Sequence, residues 1–138
     1  MWILFRCSRL VEDRHMRSYT PEGLKVLRGA GEYKPGDYWM VGNDHGYAEV
    51  QLMRKRDSYH PETFYIEHIV INEAERGNGH GKKLYLLVEE MAIKLGSSWI
   101  QIDSEPEADG FWIKMGYTEI PKVYYKDKKA MVKRIAPD

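Results

Sequence analysis

Apolar and polar residues recur along the chain with two different periods, and these periods predict an alternating order of strands and helices. The strongest helical pattern places apolar residues three and four positions apart, so that one face of the helix is apolar. Its members are Leu84, Leu87, Val88, Met91, Ala92 and Leu95, and Gly96 ends the helix. Strands rich in β-branched and aromatic residues are predicted at 2–10, 38–42, 47–53, 64–72 and 98–103, and two more at 116–125 and 130–135.

Shorter signals complete the order of elements. Thr20-Pro21-Glu22 is typical of a helix start, and Gly29 or Gly31 would end that helix. Asn43-Asp44-His45-Gly46 predicts a hairpin turn, and residues 107–115 a short helix. The result is a mixed α/β sandwich in a single domain over 1–138, with one sheet and helices on both faces.

Composition narrows the class of protein. Lys plus Arg (21) equals Asp plus Glu (21) in the 138 residues, so nothing global favours nucleic acid as a partner. Cys7 is the only cysteine, which excludes a thiolate metal cluster and fits a reducing compartment; no metal site is expected. The apolar N-terminal run is interrupted by Arg6 and Arg9, so we expect neither a signal peptide nor a membrane span. These features predict a cytoplasmic protein.

Three glycines at alternate positions, Gly77, Gly79 and Gly81, stand between a predicted strand and the long helix. Glycine lets the backbone approach a ligand closely, and a helix N-terminus attracts anions, so the loop predicts a phosphate or pyrophosphate site. Neither common phosphate motif fits. The P-loop would need glycine at position 76 and a hydroxyl residue at 83, and the dinucleotide fingerprint needs a different glycine spacing.

Four segments together resemble the GNAT superfamily of N-acetyltransferases. The segment Arg76–Gly81 resembles the family signature Gln/Arg-x-x-Gly-x-Gly/Ala. Ile69 and Ile71 stand where the family alternates apolar residues in the strand before the loop. Residues 108–117 resemble the family block Ala-x-x-Phe-Tyr/Trp-x-x-x-Gly-Phe/Tyr, and residues 130–135 resemble the closing strand. The chain is therefore identified as a member of this superfamily, most clearly over 64–135.

The resemblance implies a fold, a donor and a donor site. The fold is a central, mixed and mostly antiparallel sheet of about seven strands with helices on both faces. The donor is acetyl-CoA, with its pantetheine arm pairing like an added strand with the backbone of Ile69, Val70 and Ile71. Its pyrophosphate would lie on the loop and the first helical turn, on Arg76, Gly77, Asn78, Gly79, His80, Gly81 and Lys82.

The resemblance also implies direct attack of a neutral amine on the thioester, which requires a base. Glu67 lies nine positions before Arg76, where several family members carry an acidic residue, and it is the first candidate. A period of two places Tyr65, Glu67 and Ile69 on one strand face and His68, the second candidate, on the other unless a bulge intervenes. In many family members a tyrosine at the position of Trp112 is the general acid. The general acid is not assigned here, and Tyr117, Tyr124 and Tyr125 are alternatives for that role.

The acceptor amine stays open, whether a small molecule, a peptide or a protein. The basic runs 54–56 and 126–129 favour an anionic acceptor or an acidic peptide if they are more than solvated turns. Two other functions remain as alternatives. One is a GNAT-like module that binds CoA or a protein with little or no catalysis, and the other is a phosphate-binding protein that does not use CoA. A homodimer is a further expectation.

Overall fold

The computed structural model describes residues 19–29, 32–72 and 77–136. The strand predicted at 2–10 and the predicted contact residue Arg76 lie outside these ranges. The described strands are β1 (Lys25–Arg28), β2 (Tyr38–Asn43), β3 (Gly46–Leu52), β4 (Thr63–Ile71), β5 (Trp99–Ser104), β6 (Thr118–Glu119) and β7 (Lys129–Arg134). The helices are α1 (His80–Lys94), a 3₁₀ turn (Pro106–Ala108) and α2 (Asp109–Lys114).

The seven strands form one sheet in the order β1-β2-β3-β4-β5-β7-β6. Every neighbouring pair is antiparallel except β4 and β5, which run parallel. A parallel pair needs a crossover connection, and α1 supplies it. The predicted fold class, a mixed and mostly antiparallel sheet of about seven strands, is confirmed.

The β2–β3 hairpin has the predicted turn. Asn43 pairs with Gly46, so the loop consists of Asp44 and His45 alone. The Asn43 side chain accepts a hydrogen bond from the backbone N–H of His45 at 2.9 Å, which is the usual role of asparagine in such a turn.

The apolar face of α1 forms the centre of the core. Leu84, Tyr85, Val88, Met91 and Ala92 are buried, and the helix packs on β3 and β4. The Tyr85 ring meets Trp112 of α2 edge to face at 5.7 Å between centroids. Both described helices therefore lie on the same face of the sheet. No helix in the described part of the chain is both long and apolar enough to cross a membrane.

The helix predicted from Thr20 to Gly29 is wrong. Residues 22–23 form a turn in which Gly23 takes φ +97°, a left-handed conformation that ends any helix begun at Pro21. The next four residues form β1, which pairs antiparallel with β2. Backbone pairing along the sheet edge outweighs the local helix signal here, and a strand takes the place of the predicted helix.

The predicted strand at 116–125 is mostly a loop. Only Thr118 and Glu119 pair with β7, and the residues after Ile120 leave the sheet at Pro121. Proline cannot donate a ladder hydrogen bond, so it ends the strand. The connection that follows, up to Lys128, forms a wall of the larger cavity described below.

Candidate active site

Strands β4 and β5 separate halfway along their length and open a cleft between them. They pair only from Thr63–Ile66 to Trp99–Ile102. Beyond Ile66, Ile69 and Val70 line a cavity of about 370 Å³, closed on the other side by Ala108 and Trp112. An opening between parallel strands exposes backbone groups that an extended ligand can use as a strand partner.

A β-bulge places Glu67 at the start of this cleft. Val50 of β3 pairs with Ile66 and Glu49 pairs with His68, so Glu67 is the extra residue of β4. Its side chain lines the cleft and is 20 % exposed. Glu67 Oε2 is buried and has no hydrogen-bond partner among the described residues, so it is free to accept a proton or a hydrogen bond from a bound molecule.

The bulge corrects the expectation that Tyr65, Glu67 and Ile69 share a face. Tyr65 pairs with Gln51, on the face away from the helices, whereas Ile69 packs in the core. His68 falls on the same side as Tyr65, because the extra residue shifts the alternation by one position. Its ring also lines the cleft, but it is 54 % exposed and lies 4.0 Å from Glu67. The structure thus brings both base candidates to the cleft and leaves Glu67 as the sheltered one.

The glycine loop has the geometry of an anion site. Gly77 and Gly79 adopt φ values of +86° and +78°, and a Cβ built on either would meet nothing within 4 Å. Gly79 is the N-cap of α1 and provides no side-chain cap, so the first amides of the helix point into this open space. The first turn contains no acidic residue. Space, unpaired donors and the positive end of the helix dipole coincide there, which fits a pyrophosphate.

The other predicted contact residues lie around this loop. Gly81 lines the cleft itself, and a Cβ there would sit 3.6 Å from Ile71. Ile71 packs against the core rather than lining the cleft. The His80 ring stacks on His45 at 3.8 Å, which ties the helix start to the hairpin turn. Asn78 and Lys82 are exposed.

A carboxylate that the sequence analysis did not single out, Asp103, lies at the end of β5 opposite Glu67. Its Oδ2 accepts a hydrogen bond from the Tyr65 hydroxyl at 2.6 Å. Burial raises the pKa of Asp103 and the charge of Glu67 raises it further, while the bond from Tyr65 and the charge of Lys128 act in the opposite direction. Burial and the bond to Asp103 likewise raise the pKa of Tyr65 far above its ordinary range. The sequence signal that could have identified Asp103 is the alternation of the apolar Ile100 and Ile102 with the polar Gln101 and Asp103 along β5.

The aromatic candidates for a general acid separate into two groups. Tyr117 is buried in the core, where its hydroxyl bonds that of Tyr85 at 2.9 Å. Trp112 is also buried in the core, at 7 % exposure, and lines the cleft. Tyr124 and Tyr125 line a second, larger cavity, which meets the cleft at Asp103.

The fold and the glycine loop agree with the family comparison. The family model described as the acetyltransferase (GNAT) domain matches residues 38–133, which includes the sheet from β2, the loop and both helices. The chain belongs to the GNAT acetyltransferase family. No curated protein sequence matches it.

Solved structures of acetyltransferases share the fold. The IAA acetyltransferase of Bacillus cereus superposes with a TM-score of 0.58 at 17 % identity, over 71 % of this chain and 78 % of that one. The PaiA N-acetyltransferase of Thermoplasma acidophilum, solved in complex with coenzyme A, gives 0.55 at 14 % identity, over 71 % and 60 %. Ard1 of Thermoplasma volcanium gives 0.56 at 16 % identity, over 94 % and 80 %. At these identities the likeness concerns the fold.

Proposed function

We propose that the protein transfers the acetyl group of acetyl-CoA to a primary amine, which attacks the thioester directly. The observation that carries this function is the cleft beyond Ile66, which joins the open glycine cradle at one end to the sheltered Glu67 carboxylate at the other. Family membership supports the transfer of an acyl group, and the cleft supports a thioester donor with a long extended arm.

The donor would lie along the cleft with its pyrophosphate at the start of α1. The amides that follow Gly79 and the cations near the loop, Lys82 and Arg76, would contact the phosphates. The backbone of Ile69 and Val70 would pair with the pantetheine arm, since β5 has already left β4 there. Such pairing would bring the thioester to the point where Glu67 and Asp103 face each other across the cleft.

Glu67 is proposed as the general base. An amine is mostly protonated at neutral pH and cannot attack until a proton is removed. Among the described residues, four carboxylates line the cleft, Glu67, Asp103, Glu105 and Glu107, against one lysine, Lys128, so a cationic amine is attracted to it. Of these four carboxylates, Glu67 and Asp103 each have a buried oxygen that makes no hydrogen bond within the described part of the chain.

The leaving group does not demand a strong acid from the protein. The nitrogen forms a bond to the carbonyl carbon, the carbon–sulfur bond breaks, and the sulfur departs as a thiolate. A thiol has an ordinary pKa of about 8.5, so the thiolate leaves readily and can take its proton from water. Trp112 can donate a hydrogen bond but no titrating proton, which is consistent with this route.

Turnover of acetyl-CoA with a panel of primary amines tests this function. We expect the wild-type protein to release free CoA only when an amine is present. Glu67→Gln should keep its affinity for acetyl-CoA but lose about 100-fold or more in kcat, the usual contribution of a general base. His68→Gln is the matched control, because it changes the neighbouring titratable residue and should leave kcat within a few fold.

The outcomes separate this function from its alternatives. Binding of acetyl-CoA without acetyl transfer to any amine would favour a CoA-binding module with no catalysis. Failure to bind CoA would favour a different phosphate ligand at the glycine loop. A loss of kcat in His68→Gln that matches or exceeds that in Glu67→Gln would assign the role of base to the histidine.

Location in the cytoplasm and a single domain over 1–138 stay predictions.

A further inference from the structure

A second cavity, of about 560 Å³, lies on the sheet face away from the helices and meets the cleft at Asp103. Its floor is buried and its rim exposed. Tyr65 and Gln101 on the floor are 6 % and 1 % exposed, whereas Arg54 and Arg56 belong to the exposed 54–57 turn at the rim. Only the end of a bound molecule that lies nearest Asp103 would reach the cleft at the position of the thioester.

The inner end of the cavity is rich in hydrogen-bond acceptors. Asp103 Oδ1 and Glu67 Oε2 are buried and lack a partner among the described residues. Tyr65 donates its only hydroxyl proton to Asp103, so the lone pairs of its oxygen remain available. Glu67 lines the cleft, which shares Asp103 with this cavity, so its carboxylate lies where the two meet. Three acceptors suit the three N–H groups of a primary ammonium.

The rim of the cavity has the opposite charge. Arg54, Arg56 and Lys122 line it, and among the described residues Asp57 is the only carboxylate at the rim. Arg54 lies 3.6 Å from Asp57, and Lys122 lies over the Tyr124 ring at 5.0 Å. Arg56 has no ion pair in the described part of the chain, which leaves its planar fork of donors free for a carboxylate.

We propose that this cavity selects an acceptor with a primary amine at one end and a carboxylate at the other, an amino acid or ω-amino acid; this inference rests on the proposed function. The acidic inner end would hold the ammonium beside the cleft, and Arg56 with Lys122 would hold the carboxylate at the rim. Tyr38, Tyr124 and Tyr125 form walls that suit an apolar spacer between the two charges.

Matched acceptors test the selection. 5-Aminopentanoate, pentylamine and 1,5-diaminopentane share a length and an amine but end in a carboxylate, a methyl group and an ammonium. We expect the wild-type protein to acetylate 5-aminopentanoate with kcat/KM about tenfold above pentylamine, because Arg56 and Lys122 at the exposed rim each contribute a factor of up to about five to the binding of a carboxylate. The diamine should be the poorest acceptor. A parallel series with shorter and longer spacers allows for the depth of the cavity.

Variants of the rim locate the selection. Arg56→Gln should raise KM for 5-aminopentanoate about fivefold, leave its kcat unchanged and leave pentylamine unaffected. Lys55→Gln is the matched control, because Lys55 is an exposed cation of the same turn that does not line the cavity, and it should change neither acceptor. Calorimetric titration with 5-aminopentanoate gives the same comparison without turnover.

The results separate this inference from the proposed function. Equal kcat/KM for the carboxylate and alkyl amines, or equal effects of Arg56→Gln and Lys55→Gln, would overturn the carboxylate selection while the acetyltransferase activity stands. If no amine is acetylated, calorimetry decides: binding of 5-aminopentanoate that Arg56→Gln weakens supports the cavity assignment, and no binding overturns it. Absence of acetyl-CoA binding would overturn the proposed function and leave the assignment of the cavity unaffected.

Discussion

Gly81 offers a substitution that should affect stability and donor binding in opposite directions. It is the second residue of α1, lines the cleft, and accepts a Cβ at an ordinary 3.6 Å contact with Ile71. Its φ is not in the left-handed range, unlike those of Gly77 and Gly79, so a larger residue brings no backbone strain. Gly81→Glu would place a carboxylate where the donor's pyrophosphate is expected.

The magnitudes follow from the position. Replacing glycine in a helix gains about 0.5–1 kcal/mol, and an acidic residue in the first turn gains about 0.3–1 kcal/mol from the helix dipole. For a chain of this size each kcal/mol raises Tm by about 3–5 °C. Two phosphate charges about 6 Å from the new carboxylate would cost about 1.5–5 kcal/mol of binding at effective dielectric constants between 80 and 20. We therefore expect a more stable protein whose Kd for acetyl-CoA is at least about tenfold weaker.

Thermal unfolding with and without acetyl-CoA measures both effects. Ligand at about 100 times its Kd stabilises the wild-type protein by about 2.7 kcal/mol, and a tenfold weaker Kd reduces that gain by about 1.3 kcal/mol. Gly81→Ala should gain helix stability and keep the full ligand shift. Gly81→Gln introduces a side chain of the size of glutamate without its charge. Its ligand-induced shift in Tm should lie between those of Gly81→Ala and Gly81→Glu. A Gly81→Glu protein that shows the wild-type ligand shift would refute the assignment of the anion site.

Three further predictions concern the core and the buried carboxylate. Burial raises the pKa of Asp103 above 3.8, so the folded state binds the Asp103 proton more tightly than the unfolded state does. The free energy of unfolding of the wild-type protein therefore falls as the pH rises from the unfolded-state pKa of Asp103 through its folded-state pKa. Asp103→Asn should therefore be more favourable, relative to wild type, at pH 7 than at pH 4 in urea unfolding; equal differences would contradict this. Met91→Ala should cost about 2–5 kcal/mol of unfolding free energy, since Met91 is fully buried, and a loss below about 1 kcal/mol would mean that the core is looser than described. Gly29→Ala should destabilise, because its Cβ would lie 2.3 Å from Trp39 at φ +115°, whereas Gly110→Ala, with open space, should raise Tm; the reverse order would contradict the packing of β1 on β2.

Much of the fold could be predicted from the sequence, because local and tertiary preferences agree over most of the chain. The three-four spacing of α1 matches the face that it buries, and Asn43 with Gly46 specifies the two-residue hairpin. The glycine spacing identified the anion loop because glycine adopts the positive φ values found at 77 and 79 far more readily than other residues do. At each of these places a short segment carries enough information by itself.

The remaining features depend on pairing between distant segments. The segment after Thr20 reads locally as a helix, but its neighbour in the sheet, β2, makes it a strand. The bulge at Glu67 is set by the register with β3, and no feature of the β4 sequence alone announces it. Asp103 becomes a site residue only because β5 lies parallel to β4 and brings it within 2.6 Å of the Tyr65 hydroxyl. The geometry of the site therefore could not be predicted without knowing how the strands pair, whereas the chemistry of its residues could be predicted from the sequence.

The central claim is that the cleft between β4 and β5 holds acetyl-CoA, and calorimetric titration of the wild-type protein with acetyl-CoA tests it most directly. We predict one site per chain with a Kd in the micromolar range, corresponding to about 8 kcal/mol of binding free energy. Gly81→Ala should bind with the same stoichiometry, and Gly81→Glu should show little heat at the same concentrations. Absence of binding to the folded wild-type protein would contradict the claim.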